Sequence, residues 1–122
     1  MSHSLVQEDV VLTDKVGIIN ALGRMNLEYL QDGDRIYVTK EELRKKGFTS
    51  WTPLEFKKKG NEYQMSADAD MVNYYHKDFK KNFRQFYRME VAKKVYSKKG
   101  YRTKETVENG KPKLVLFRQK KG

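Results

Sequence analysis

His76 is the residue best suited to move a proton in this chain of 122 residues, and Asp68 and Asp70 stand one to two turns before it. Two carboxylates and an imidazole are acceptable ligands for a hard cation. Each also has a plainer use. Acidic residues at a helix start accept its free N–H groups and complement its dipole, and Asp68-Ala69-Asp70 precedes a long helical pattern. His76 lies between Tyr75 and Lys77 with no Ser or Asp beside it in a catalytic pattern, and a cationic neighbourhood disfavours its charged form. It reads as a surface histidine on a helix. The other histidine, His3, sits at a terminus. We assign no catalytic residue and no metal ligand.

The absence of cysteine excludes disulfides, thiol nucleophiles and Cys-type zinc sites. Eight scattered glycines form neither Gly-x-Gly-x-x-Gly nor Gly-x-x-x-x-Gly-Lys-Ser/Thr, so the backbone cradle for nucleotide phosphates is missing. The acidic residues are interspersed with lysine, as on a solvated surface, and not set out as a glycosidase pair. The expectation is a non-enzymatic protein without a cofactor.

Charge is the stronger signal. Lys and Arg number 26 against 16 Asp and Glu, a formal net charge of +10, which raises the local concentration of polyanions and speeds encounter with them. Lys-Lys-Gly occurs four times, at 45–47, 58–60, 98–100 and 120–122. Glycine just past a helix end supplies a left-handed cap, and lysine in the last turn complements the dipole. The first and third copies read as such helix ends, the second as a hairpin turn with Asn61, and the last as a tail. Capping explains where the copies fall but not the excess of charge over the whole chain.

Basic residues are interleaved with aromatics through Tyr74-Tyr75-His76-Lys77, Lys80-Lys81-Asn82-Phe83-Arg84, Tyr87-Arg88, Lys93-Lys94-Val95-Tyr96 and Lys98-Lys99-Gly100-Tyr101-Arg102. On a helix, Lys81, Arg84, Arg88 and Lys99 fall opposite Phe79, Phe83 and Phe86. The candidate nucleic-acid interface is therefore Lys81, Arg84, Arg88, Lys98, Lys99 and Arg102, engaging the phosphates of DNA or RNA while an exposed Tyr stacks on an unpaired base. Lysine-rich phosphate contacts position without reading bases, so little sequence preference is expected. The alternative is a small adaptor or inhibitor on an acidic protein surface, anchored by Trp51 or Tyr63, because interface hot spots favour Trp, Tyr and Arg. A third reading is a pocket for a small anionic ligand lined by Lys, Arg and Tyr.

These residues need elements to hold them. Leu5 to Leu12 reads as a first strand closed by Thr13-Asp14, and Asp14 caps a helix from Lys15 to Met25 with Ile18, Ile19, Leu22 and Met25 on one face. Asn26 or Gly23 ends it. Leu27 to Leu30 and Arg35 to Val38 flank an Asp-Gly hairpin turn. Thr39 with Glu42 has the form of a capping box for a short helix over 40–46. A second hairpin runs out through Trp51, Leu54 and Phe56 and returns through Tyr63 and Met65. A long helical region carries Val72, Tyr75, Phe79, Phe83 and Phe86, with a break predicted near His76 or Arg88. Tyr101 to Val107 and Lys113 to Phe117 form a last hairpin about Asn109-Gly110, with Pro112 where a strand begins.

The fold class is α+β: one small domain over 1–118, an antiparallel sheet of hairpins packed against two to four helices, and a basic tail over 119–122. The length suits one domain, and eight Tyr, six Phe and one Trp argue for order. There is no run of 18 apolar residues, and Met1-Ser2-His3-Ser4 followed by Leu5 to Asp9 lacks the basic start and apolar stretch of a signal peptide. A cytoplasmic protein with no membrane partner is expected, as a monomer in preference to a dimer.

Met1-Ser2-His3, Thr13-Asp14 with Ile19 and Ala21-Leu22-Gly23, the extended Trp51 to Ala67 segment with Gly60, and Gln85-Phe86-Tyr87 before a closing strand follow one another in this order. This order resembles a family of small uncharacterised proteins of algal plastids, cyanobacteria and some phages, domain-of-unknown-function family twelve-fifty-seven. Where that family tends to carry Leu-Trp-Gly after the hairpin, this chain has Met71-Val72-Asn73. The resemblance spans nearly the whole chain, implies an α+β domain of phage or plastid-like origin, and brings no catalytic residues.

Overall fold

Period-two alternation in three successive segments builds the central sheet of the computed structural model, which describes residues 5–7 and 11–118. In β3 (Arg35–Val38), β4 (Leu54–Lys59) and β5 (Glu62–Asp68) alternate side chains reach opposite faces. The register Ile36↔Phe56↔Met65, with Val38 opposite Leu54, lays buried apolar side chains in rows across one face. Two three-residue strands, β1 (Leu5–Gln7) and β2 (Leu30–Asp32), complete an antiparallel sheet of order β1-β5-β4-β3-β2. The expected first strand is thus present over Leu5–Gln7, and Leu12 makes an isolated bridge to Tyr63. Its residues 8–10, the Met1-Ser2-His3 start and the 119–122 tail lie outside the described residues.

The sheet is covered by α1 (Lys15–Arg24) and α3 (Phe79–Lys98). Asp14 caps α1 by accepting the Gly17 N–H at 3.1 Å, and Ile18, Ala21 and Leu22 are buried. Asn26, at φ 58°, closes this helix, and the Leu27 N–H returns to the Leu22 carbonyl. Leu27 therefore belongs to a helix cap and the core and not to the predicted strand, which starts only at Leu30. On α3, Phe79, Phe83 and Tyr87 face inward, with the Phe83 and Phe56 rings 5.1 Å apart.

Between β3 and β4 stands α2 (Lys40–Lys45), begun by Thr39 Oγ1 accepting from the Glu42 N–H at 3.1 Å. Gly47 (φ 94°) and Gly100 (φ 89°) occupy left-handed positions after α2 and α3, and Gly60 (φ 62°) turns the β4–β5 hairpin. The capping and turn roles read from Lys-Lys-Gly hold for these three copies; the fourth lies outside the described residues.

The long helical pattern breaks at His76. Before it, Met71–Tyr75 forms a π-helical turn closed by the His76 N–H on the Met71 carbonyl at 2.6 Å. After α3, β6 (Tyr101–Glu108) and β7 (Lys111–Arg118) pair about Asn109 (φ 53°) and Gly110 (φ 75°) as a separate two-stranded sheet against α3. The result is the expected α+β fold of hairpins and helices, but its hairpins do not share one sheet.

Candidate nucleic-acid interface

The 100° step of an α-helix puts Lys81, Arg84 and Arg88 within about 60° of one another and roughly opposite Phe79 and Phe83. Phe83 is anchored in the core, so this cationic stripe faces outward, Lys81 and Arg88 exposed and Arg84 half-buried. Strand β7 lies beside it. Leu114 of β7 and Met89 and Ala92 of α3, with Lys81, Arg84, Gln85 and Arg88, line a groove of about 460 Å³. Its lining includes no Asp or Glu.

The other three predicted phosphate contacts stand elsewhere. A rise of 1.5 Å per residue carries Lys98 about 25 Å along α3 from Lys81. Lys99 caps the helix, its Nζ 5.8 Å from the Tyr96 ring centroid. In β6, Tyr101 meets Tyr96 edge-on at 5.9 Å, and Glu105 reaches Arg24 and Lys93. Arg102 lies between them in the alternation and so points away from α3, opposite Phe117. The single expected interface therefore divides into the groove trio and a separate end of the molecule, because β6 turns back at Gly100 instead of prolonging the helical stripe.

Many of the remaining cations are neutralised within the fold. Arg24 holds Glu90 at 2.5 Å and both carboxylate oxygens of Glu105, which Lys93 also reaches at 3.2 Å. The Arg24 hydrogen bond, and then Lys93, bring the Glu105 carboxyl down to about 2, while Arg24 is correspondingly raised. Arg35 binds Glu55 at 2.5 Å and lowers its pKa, Lys94 reaches Asp14 at 3.2 Å, and Lys113 reaches Glu108 at 2.6 Å. A broad shallow hollow of about 940 Å³ beside α1 includes Arg24 and Glu90, which are already paired, together with Glu28. It offers no excess positive charge for an anionic ligand.

A second exposed feature lies at the N-terminal end of α3. The buried Asp68 carboxylate accepts the Trp51 N–H at 2.7 Å on one oxygen, and the N–H groups of Asp70 (2.8 Å) and Met71 (3.4 Å) on the other. His76 is half-buried at the end of the π-helical turn, where Nε2 accepts the Thr49 N–H at 2.9 Å and the ring meets Phe48 edge-on at 4.9 Å. It is neither on a regular helix nor at the open surface, contrary to the plain reading of its sequence position. Asp68 and His76 are both engaged with backbone, and among the described residues no three His, Cys, Asp or Glu side chains gather to hold a metal. These two clamps join the 49–51 loop to Met71–Tyr75, leaving Trp51 46% exposed, Tyr74 72% and Tyr75 59%. Arg44 lies 4.8 Å from the Trp51 ring centroid and donates to the Ser50 carbonyl at 2.9 Å.

Of the two anchors expected for a protein partner, Trp51 is partly exposed and Tyr63 is not. Tyr63 is only 7% exposed, because its place in the β5 alternation turns it to the core beside Met65 and Ala67. The exposure of Tyr74 and Tyr75 had a trace in the sequence, their adjacency to His76 and Lys77. What joins their segment to the loop that carries Trp51 is the Asp68 clamp, whose bond to Trp51 spans 17 residues.

No family model, curated protein or solved structure matches this chain. Among the described residues, no helix is long and apolar enough to cross a membrane.

Proposed function

We propose that this protein is a non-enzymatic nucleic-acid-binding domain that grips the phosphate backbone in the groove between α3 and β7. The observation that carries the reading is the convergence of Lys81, Arg84 and Arg88 on one groove with no acidic residue in its lining. The +10 net charge supports it from a distance, drawing polyanions toward the surface before contact. Lysine and arginine contacts to phosphate position without reading bases, so affinity is expected to depend on salt more than on sequence. Cytoplasmic location and a monomeric state accompany this proposal. Lys113 on the edge strand β7 opposes edge-to-edge pairing.

The test is titration of labelled single-stranded DNA, duplex DNA and RNA at low and near-physiological salt. Log affinity should fall linearly with log salt, the slope counting phosphates. Replacing Arg84 and Arg88 by Gln should weaken binding and lower the slope by about 1.4 to 1.8, the loss of two phosphate contacts. An unchanged isotherm would sink the assignment. The exposed Trp51 favours the adaptor reading specifically, with an acidic protein surface as partner. Such a complex would depend on Trp51, resist moderate salt and be indifferent to the Arg84/Arg88 pair.

A further inference from the structure

The β6–β7 hairpin packs one side on α3 and turns the other away. Tyr101, whose ring meets Tyr96, and Glu105, which binds Arg24 and Lys93, mark the packed side. Side chains alternate along each strand, and residues directly opposite one another across an antiparallel pair share a side, their Cβ atoms about 5 Å apart. The register Arg102↔Phe117 and Lys104↔Val115 therefore sets two cations of β6 beside two apolar residues of β7, all on the side turned away. Arg102 and Lys104 are exposed, Val115 is half-buried, and Phe117 is 48% exposed.

The charge on this side is uneven. Near the turn Lys113 pairs with Glu108 at 2.6 Å, whereas Arg102 and Lys104 pair with no carboxylate among the described residues. Glu105, next to Lys104 in the chain, is held on the packed side by Arg24. An incoming anion thus finds two uncompensated cations next to an accessible aromatic ring. Such a surface suits a chain in which flat bases alternate with phosphates, and aromatic side chains on a sheet face are a recurring support for unpaired bases. The location is continuous with the groove. Among the described residues β7 pairs only with β6, and Leu114, three residues and about 10 Å before Phe117, lines the groove on the packed side. The free edge of β7 is the border between the two.

We infer that Arg102, Lys104 and Phe117 form a second contact for nucleic acid, in which an unpaired base stacks on Phe117 and phosphates meet Arg102 and Lys104, so that the ligand is single-stranded. The inference rests on the groove reading above and adds to it the strandedness of the ligand and a contact region on the outer side of the hairpin. A strand held in the groove by Lys81, Arg84 and Arg88 passes over the edge of β7 to reach it. In a duplex the base faces are covered by their neighbours and the Phe117 ring has nothing to stack on.

The intact chain is titrated into a labelled single-stranded DNA oligonucleotide and into its duplex, with inorganic polyphosphate, a chain of charges without bases, as competitor. The single strand should bind more tightly than the duplex. Phe117→Ala should lower single-strand affinity roughly 5- to 150-fold, the range for loss of one stacked base, and leave the affinity for polyphosphate essentially unchanged. Phe117→Tyr, which keeps a ring, should retain most of the affinity, whereas Phe117→Leu, which keeps apolar bulk without a ring, should lose it as Ala does. Arg102→Gln/Lys104→Gln should lower the single-strand salt slope by about 1.4, two phosphates at about 0.7 each. Thermal melting verifies that each variant folds, and the Leu and Tyr variants carry the test if Phe117→Ala does not. Equal affinity for single strand and duplex, or full single-strand affinity in Phe117→Leu, overturns the hairpin contact. So does a dimer in sedimentation that Phe117→Leu dissociates, since a second copy then covers this side. If Arg84→Gln/Arg88→Gln still weakens binding in those cases, the groove reading survives alone. Failure of all three polyanions to bind at low salt overturns both.

Discussion

The Tyr87 hydroxyl accepts the N–H of Asp14 at 3.1 Å and that of Thr13 at 2.9 Å, so a tyrosine in α3 serves the backbone at the start of α1. Beneath this contact Gly17 lets the helices close. A Cβ there would lie 3.0 Å from Tyr87 Cε2 and 3.3 Å from Val91 Cγ2. Tyr87→Phe leaves two N–H groups without that acceptor and should destabilise the fold by about 1–3 kcal/mol. Gly17→Ala gains about 1 kcal/mol of helix propensity but must displace a ring that is held at its far end, and should still destabilise. Urea midpoints of both variants at constant m-value check this, and a Tyr87→Phe midpoint equal to wild type would remove the hydroxyl's assigned role.

Acid should loosen the junction of α1, α3 and β6. Glu105 titrates near 2 in the folded protein against an ordinary 4.5, chiefly because of the Arg24 hydrogen bond. Its folded value is the lower one, so the stabilisation is complete above about pH 4.5 and is lost as pH falls toward 2. Because Glu105 is partly exposed, solvent screening reduces the effect to about 1–2 kcal/mol. Glu105→Gln should flatten this part of the stability profile, as measured by denaturant unfolding at stepped pH. A parallel decline in wild type and variant would rule the residue out as its source.

Asp68→Asn places an amide group where backbone N–H groups converge on both sides of the side chain. One donor then faces another, and a loss of about 1–3 kcal/mol is expected. Because the carboxylate fastens Trp51, the same variant should change the fluorescence of the folded state. Chemical denaturation followed by Trp51 emission reads both effects, and an unaltered midpoint would show that the clamp contributes nothing.

Position should matter more than charge number. Lys98→Gln/Lys99→Gln removes as much charge as Arg84→Gln/Arg88→Gln, but its residues lie about 25 Å along α3 from the start of the groove. Its effect on nucleic-acid affinity should be the smaller of the two at near-physiological salt, where charges beyond a Debye length of about 8 Å are screened. Equal losses from the two pairs would show that the protein attracts polyanions by net charge without a defined track.

Local chemistry was legible in the sequence wherever one residue type settles one backbone state. Asp14 and Thr39 as caps, the left-handed glycines of three Lys-Lys-Gly copies, the Asn109-Gly110 turn and the alternation of β4 and β5 all follow from neighbours close in the chain. So did the outward stripe of Lys81, Arg84 and Arg88, because helical periodicity alone places it opposite Phe83. Tertiary contact decided the rest. Leu27 was drawn from a strand into a helix cap, and Tyr63, a polar-tipped ring credible at a surface, was turned inward by strand register. Arg102 left the stripe when the chain reversed at Gly100, since alternation in β6 begins afresh from the side chain that packs on α3. The joining of the Trp51 loop to the Met71–Tyr75 turn depends on one buried carboxylate bridging segments distant in sequence, and no local pattern of residue types encodes a bond of that span.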